Sequence, residues 1–404
     1  MTSRTLARAA VWTATLLVGC SGAEETNSPL TSSADPVDTP LKGSDADMVS
    51  KFHDGDGVFE LPMRSADGLG PLYIRHACAD CHETGVRGPG LVQKMSIVEK
   101  DGVTAAADQS ALTYGHTVRP FVTAGATTPI LPPEVDSLKV SVRVGPPVIG
   151  RGYMEAVLDS EIERMEAEQK TRDDGIHGRI NRVTYASEAN PDPTFNAHQK
   201  GETGLIGRFG LKARIATLDE FTADAFQGDM GMTSPMRPTE PLNPDGLTDD
   251  DKPGVDLAID SVNQAAFYMR ALEIPKRADD AAGAALFAGA RCDVCHAPAL
   301  KTRADYPIAL LADKTVAVYT DFLLHDLGPD LADGMTDGVA KGGDWRTAPL
   351  IGLRHSATFM HDGRATSIED AILDHAGEAT DSVKRFSALS AADRDALIRF
   401  VGSL

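Results

Sequence analysis

The chain has 404 residues, enough for two or three domains of roughly 100–200 residues each. Hydrophobic residues at 42% and charged residues at 24% exclude a wholly disordered, collagen-like or multi-spanning membrane protein. A net charge of -20 argues against nucleic acid as a partner and favours cationic ones.

The chain opens with Arg4 and Arg8 before a short apolar stretch, Ala9 to Val18, too short to span a bilayer comfortably. It ends Leu17-Val18-Gly19-Cys20, which reads as a bacterial lipobox with Cys20 lipidated and residues 1–19 removed. An ordinary signal peptide cut nearby is the alternative. Ser21 after the cysteine is similar to sorting signals for the outer membrane, so the expected location is the bacterial envelope, facing the periplasm or the exterior. The lipid is then the only membrane attachment. Residues 20–50 are rich in Ser, Thr, Asp and Pro and read as a flexible tether. Asp54-Gly55-Asp56-Gly57 shares only its first positions with a calcium loop and reads as a turn.

The four remaining cysteines fall into Cys78-Ala79-Asp80-Cys81-His82 and Cys292-Asp293-Val294-Cys295-His296. This is the Cys-x-x-Cys-His pattern of covalent haem attachment. Two thiols add across the haem vinyl groups, and the adjacent imidazole becomes the proximal ligand. A redox dithiol would not need the histidine, and zinc would want ligands converging from both motifs. The expected cofactors are therefore two haem c groups held by Cys78, Cys81 and His82 and by Cys292, Cys295 and His296. With Cys20 lipidated, no thiol is left for thiol chemistry.

The two motifs share a flank, Leu72-Tyr73 before the first and Leu286-Phe287 before the second. Ala281 to Ala290 predicts a helix that delivers its apolar face ahead of the haem. Ala265-Phe267-Tyr268-Met269-Leu272 and Leu397-Ile398-Phe400-Val401-Leu404 predict two amphipathic closing helices, the first stopped by Pro275. Helix, haem and helix, twice over, divide the chain into residues 51–276 with the first haem and 277–404 with the second. The fold class is mainly α, with two cytochrome c-like domains. The first is enlarged by polar loops at Pro191 to Gly204 and Thr233 to Pro253 and by a short strand at Val140 to Val148.

Several stretches resemble the bacterial di-haem oxidoreductase family, whose members carry the labels peroxidase and "thiol oxidoreductase". They are Gly207-Arg208-Phe209-Gly210-Leu211-Lys212-Ala213 and Ala225 through Pro235, which contains Asp229-Met230-Gly231. Tyr319-Thr320-Asp321, Leu324-His325-Asp326-Leu327-Gly328, Trp345-Arg346-Thr347, Met360-His361-Asp362-Gly363-Arg364 and Glu369 through His375 complete the set. The resemblance runs from about residue 55 to the end, and more distantly reaches di-haem cytochrome c peroxidases and MauG-type enzymes. It implies one haem that reacts with peroxide and a second that feeds it electrons.

The resemblance also assigns roles. In the peroxidases a carboxylate precedes Met-Gly near the reactive iron and moves the proton; Asp229 matches it, with Asp where they carry Glu. The alternative for Asp229 is a turn cap or a pair with Arg237. The helix register that supplies a sixth ligand to the C-terminal haem lands on His375, with Met360 as the rival ligand. For the first haem's distal side the candidates are His76, too near its own motif to reach across, and His116. Trp345 is an electron relay between the haems or a packed residue, and Arg346 suits a haem propionate. Arg87, His325, His355 and His361 complete the candidates, and a bridging Ca2+ is a further cofactor candidate.

Two functions compete. The first is a peroxidase-like oxidoreductase that takes peroxide or another small oxidant at the His82 haem. Its electrons come through the His296 haem from a small basic donor such as a cytochrome or cupredoxin. The second is a tethered di-haem electron carrier without catalysis. The large first module speaks for the enzyme, and Asp229 in place of Glu speaks for the carrier.

Overall fold

A computed structural model describes residues 38–82, 90–123, 125–248 and 254–404. The proposed lipobox with Cys20, most of the tether and Arg87 lie outside the described residues. The first helix, α1 (Ala46–Glu60), is capped by Asp45, whose side chain accepts from the Met48 N–H. It begins inside the stretch expected to be a tether, and Leu41 before it is already buried. The Asp54–Gly57 stretch is not the turn expected from its composition; it lies in the middle of α1. Tertiary packing explains why. At Gly55 a Cβ would stand 2.2 Å from the Gln264 carbonyl oxygen, so the missing side chain lets α1 cross α5 (Ile259–Ala271) at close range.

The second half repeats this device. Helix α6 (Ala281–Gly289), capped by Asp280, packs against the terminal helix α9 (Ala391–Gly402). A Cβ on Gly283 would stand 2.4 Å from that of Phe400. Each half is therefore closed by an early and a late helix crossing at a glycine. The shared flank is not structurally equivalent, however. Leu72–Tyr73 forms a strand, β1, whereas Leu286-Phe287 lies in α6.

Helices account for 31% of the described residues and strands for 15%: helix outweighs strand as expected, but loops outweigh both. Much of the chain runs as loops that wrap the two cores. The strands among the described residues form five two-stranded antiparallel ribbons. β1 pairs with β3 (Phe121–Val122), and β2 (Leu91–Ile97) pairs with β4 (Leu138–Val144) from Leu91↔Val144 to Ile97↔Leu138. Strand β4 realises the predicted β-branched segment, ending before Gly145-Pro146-Pro147, where two prolines break the ladder. Short helices α2 (Arg151–Ala156) and α3 (Asp159–Lys170) follow, then β5 (Arg182–Thr184) paired with β6 (Thr203–Ile206). Helix α4 (Leu218–Met230) is capped by Thr217 and ends at Gly231 in the left-handed region. In the second half β7 (Leu300–Lys301) pairs with β8 (Thr315–Val316), and β9 (Leu324–Asp326) with β10 (Asp344–Arg346). Helices α7 (Ile368–Leu373) and α8 (Thr380–Ser387) lead into α9.

The halves share one interior. A single hydrophobic cluster joins Phe52, Phe59, Ile149 and Leu272 to Leu300, Val318, Phe322 and Ile351. A buried polar network crosses the same boundary. Arg270 on α5 pairs with Glu155 at 2.7 Å and Asp219 at 2.6 Å, and the Tyr306 hydroxyl donates to Glu155 at 2.8 Å. Removing one member of such a network leaves a buried charge unpaired and costs about 3–5 kcal/mol. Among the described residues no helix is long and apolar enough to cross a membrane.

Candidate functional site: two histidine-lined cavities

Each Cys-x-x-Cys-His motif ends beside a cavity. His82 donates from Nδ1 to the Pro146 carbonyl at 2.7 Å, and His296 from Nδ1 to the Tyr319 carbonyl at 3.1 Å. A donating Nδ1 fixes the tautomer and leaves Nε2 with its lone pair free to bind a metal. Burial lowers both imidazoles to about 4, so both are neutral. Tyr319 holds φ at +51°, a left-handed conformation uncommon for a bulky residue, and so presents its carbonyl to His296. The four thiols are unpaired with one another as disulfides, and burial pushes Cys78 up to about 12 and Cys81 to about 11.

The second cavity measures about 250 Å³ and is lined by Cys292, Cys295, His296, Met360 and His375 among others. His375 follows α7, donates from Nδ1 to the Ala371 carbonyl at 2.6 Å, and faces His296 with ring centroids 6.5 Å apart. Two metal–imidazole bonds of about 2 Å each, together with the two ring half-widths, account for that separation. The donor set therefore fits a haem iron here. Met360 lines the same cavity with φ at +64°.

The first cavity is smaller, about 60 Å³, and is walled by Phe59, Cys78, His82, Leu218, Phe221 and Met269 among others. The donor set and the His82 tautomer, rather than the volume, carry the fit at this site. Neither histidine considered for the distal side lines it. His76 pairs with Asp80 of its own motif at 2.8 Å, and His116 bonds the Met95 carbonyl at 3.0 Å. Met269 on α5 is a thioether in this wall that the sequence analysis did not single out.

Asp229 sits in the last turn of α4. Leu218, Phe221, Thr222 and Ala225 of that helix line the first cavity, and Asp229 continues the stripe one turn beyond Ala225. Burial raises its pKa above the ordinary value, with Asp224 adding to the rise and Lys94, Arg214 and Arg119 opposing it. Its charge bears on Cys78 and Cys81. The pair with Arg237 does not form, because Arg237 turns to Asp224 at 3.3 Å.

Trp345, on β10, lines the second cavity only. Its indole stacks on His361 at 3.8 Å and 18°, carries the Lys212 ammonium 4.1 Å from the ring centre, and donates to the Leu331 carbonyl at 3.0 Å. Lys212 is fully buried, donates to the carbonyls of Lys341, Gly342 and Asp344, and pairs with Asp333 at 3.3 Å. His325 lies between Asp321 at 3.0 Å and Glu378 at 2.8 Å, 3.8 Å from the Cys295 sulfur. Gln169 braces the same region by donating to Asp321 and to the Val294 carbonyl inside the second motif. His355 ends the short turn Leu353–His355. Lys212 and Asp321 escaped functional reading because single charged residues in quoted motifs carry no spacing signal, and Glu378 because it lies outside those motifs.

The chain belongs to the di-haem oxidoreductase family described as "putative peroxidase", whose model matches residues 134–404. Among solved structures it is similar to hydrazine synthase of Kuenenia stuttgartiensis, at 13% identity and TM-score 0.39 over 100% of both chains. It is also similar to a MauG-like protein associated with microbial copper homeostasis, at 15% identity and TM-score 0.30 over 69% of this chain and 91% of that one. Both likenesses are too remote to bear on function. No curated protein sequence matches the chain.

Proposed function

We propose that the protein reduces peroxide, or a similar small oxidant, at the site of His82 with electrons delivered through the site of His296. The observation that carries this reading is the asymmetry of the two cavities. His296 is faced by a second imidazole, His375, whereas among the described residues no second imidazole lines the cavity of His82. Haem held between His296 and His375 would supply electron storage, and haem held by His82 alone would supply oxidant reduction.

The chain's own residues do the rest. Cys78 and Cys81 would fix one group covalently, and Cys292 and Cys295 the other. Pro146 and Tyr319 hold the proximal imidazoles in one tautomer. Asp229, whose pKa burial raises, moves protons at the first site, since reducing a peroxide to water consumes protons as well as electrons. His375 rather than Met360 would hold the second group together with His296, because its ring already faces His296. The acidic surface recruits a small basic electron donor, and Cys20 tethers the protein to the envelope.

A second reading, a pure electron carrier, is favoured by one observation: the Met269 thioether lies in the first cavity and is a potential axial ligand. Spectra of the haem-loaded protein made in an exporting host separate the two. Two haems per chain, with one high-spin centre that binds carbon monoxide, support the oxidoreductase. Two low-spin centres blind to carbon monoxide, with Met269→Leu opening one of them, establish the carrier.

A further inference from the structure

Two buried arginines stand apart from the others in this protein. Arg151 opens α2 and Arg346 ends β10, and each is only 5% exposed. Together with Pro146 and Pro147 they line both cavities and so form the wall between them. Every hydrogen bond the structure gives them goes to a neutral acceptor. Arg151 donates to the Pro147 carbonyl and to the Met154 sulfur at 3.0 Å. Arg346 donates to the carbonyls of Gly210 at 3.0 Å and Thr347 at 2.8 Å.

Neither forms an ion pair among the described residues. The other buried guanidiniums do: Arg270 with Glu155 and Asp219, Arg143 with Asp333, Arg208 with Asp159. Burial lowers Arg151 to about 9, with Arg346 adding to the fall by repulsion, and burial lowers Arg346 to about 10. The Asp321 carboxylate offsets part of this at Arg346 without reaching it as an ion pair, and two like charges buried side by side with no carboxylate in contact are costly unless an anion joins them. Each guanidinium has N–H donors beyond those already bonded, in a fork that matches a carboxylate. Haem brings carboxylates of its own, as propionates, and the two arginines are open to both cavities.

Building on the two-haem reading, we propose that Arg151 and Arg346 form one carboxylate clamp shared by both sites, each arginine serving propionates of both haems. They are positioning residues. Their joint charge ties the two sites together electrostatically, so that neither potential is set independently. The wall is also bonded to the first ligand: His82 donates to Pro146, and Arg151 to the next carbonyl along, that of Pro147.

The test is redox titration of the haem-loaded protein, following each centre by its own spectrum, for Arg151→Gln and Arg346→Gln. Removing a cation near the iron disfavours the electron-rich reduced state. Each single variant is therefore expected to lower both midpoint potentials with two haems still attached. Arg182→Gln, an exposed arginine paired with Glu163, is expected to move neither. A shift confined to one centre, or no shift, at full haem content overturns the shared clamp. A wild-type protein carrying fewer than two haems overturns the function reading instead. Should a glutamine variant fail to accumulate, Arg151→Lys keeps the charge and loses the fork. Altered propionate bands in its resonance Raman spectrum support the clamp, and unaltered bands refute it.

Discussion

His375 faces His296 across the second cavity with ring centroids 6.5 Å apart and planes at 67°. With haem held between them as proposed, an imidazole pair spaced in this way would close the site to outside ligands. His375→Ala is expected to open it, so that the reduced second centre binds carbon monoxide. His375→Met is expected to restore a closed site at a higher midpoint potential, since a Met/His pair poises haem higher than two imidazoles. Carbon monoxide difference spectra and potentiometry check both outcomes.

Asp229 is half-buried beside the first motif with its pKa raised. Asp229→Asn is expected to lower peroxide turnover by on the order of 10²–10⁴, the span typical of lost general acid–base catalysis. Haem content and the carbon monoxide spectrum should stay as in the wild type. Asp229→Glu should retain turnover, because it keeps the proton-carrying group. Equal turnover in the Asn variant, measured by stopped-flow with hydrogen peroxide, would remove Asp229 from the mechanism.

Lys212 holds a positive charge 4.1 Å from the ring centre of Trp345. A cation there disfavours a positively charged oxidised indole, so Trp345 is expected to resist becoming a radical under peroxide while Lys212 is protonated. Burial depresses Lys212 to about 8, against the opposing pull of Asp333, so the charge is lost above that pH. Residues 38–404 contain Trp345 as their one tryptophan. Its emission maximum should therefore titrate with a midpoint near 8, and Lys212→Met should flatten the curve. The same variant should accumulate more oxidised Trp345 after peroxide, read by peptide mass spectrometry.

His325 is held between Asp321 and Glu378. Burial alone would lower its pKa, but the Asp321 carboxylate paired with it at 3.0 Å favours the charged ring and raises it above 6.5. The folded protein then binds more protons than the unfolded chain above pH 6.5. The stabilisation is fully present below that pH and is lost as pH rises through the raised value. His325→Gln is expected to cost about 3–5 kcal/mol below pH 6.5, as a buried pair broken on one side does. That cost should shrink on the alkaline side, as measured by urea denaturation at a series of pH values.

The attachment motifs were legible because their chemistry dictates spacing within five consecutive residues. The closing helices were legible because burial on one side imposes a 3.6-residue period, seen in Val262, Ala265, Ala266 and Met269. His375 was reachable only through the register of a family helix, and the structure turns its ring toward His296. What stayed hidden depended on the third dimension. Asp54–Gly57 looks like a turn because glycine and aspartate dominate it, yet packing against α5 makes it helix. Arg151 follows Gly145-Pro146-Pro147 with nothing in its neighbours to separate it from a surface arginine. Only the meeting of two cavities at its side chain gives it meaning. The excess of loop over helix was likewise invisible, since polar insertions between motifs carry no period.

The interior that runs without a break from Phe52 and Phe59 to Phe322 and Ile351 makes the two halves poor candidates for exchange. A half lifted out at the 272–280 connection would carry an open apolar face and the severed ends of the Glu155, Arg270 and Tyr306 network. Sequence change in one half must be answered in the other. The two halves, each crossed by its helices at a glycine, Gly55 and Gly283, are thus bound to change together.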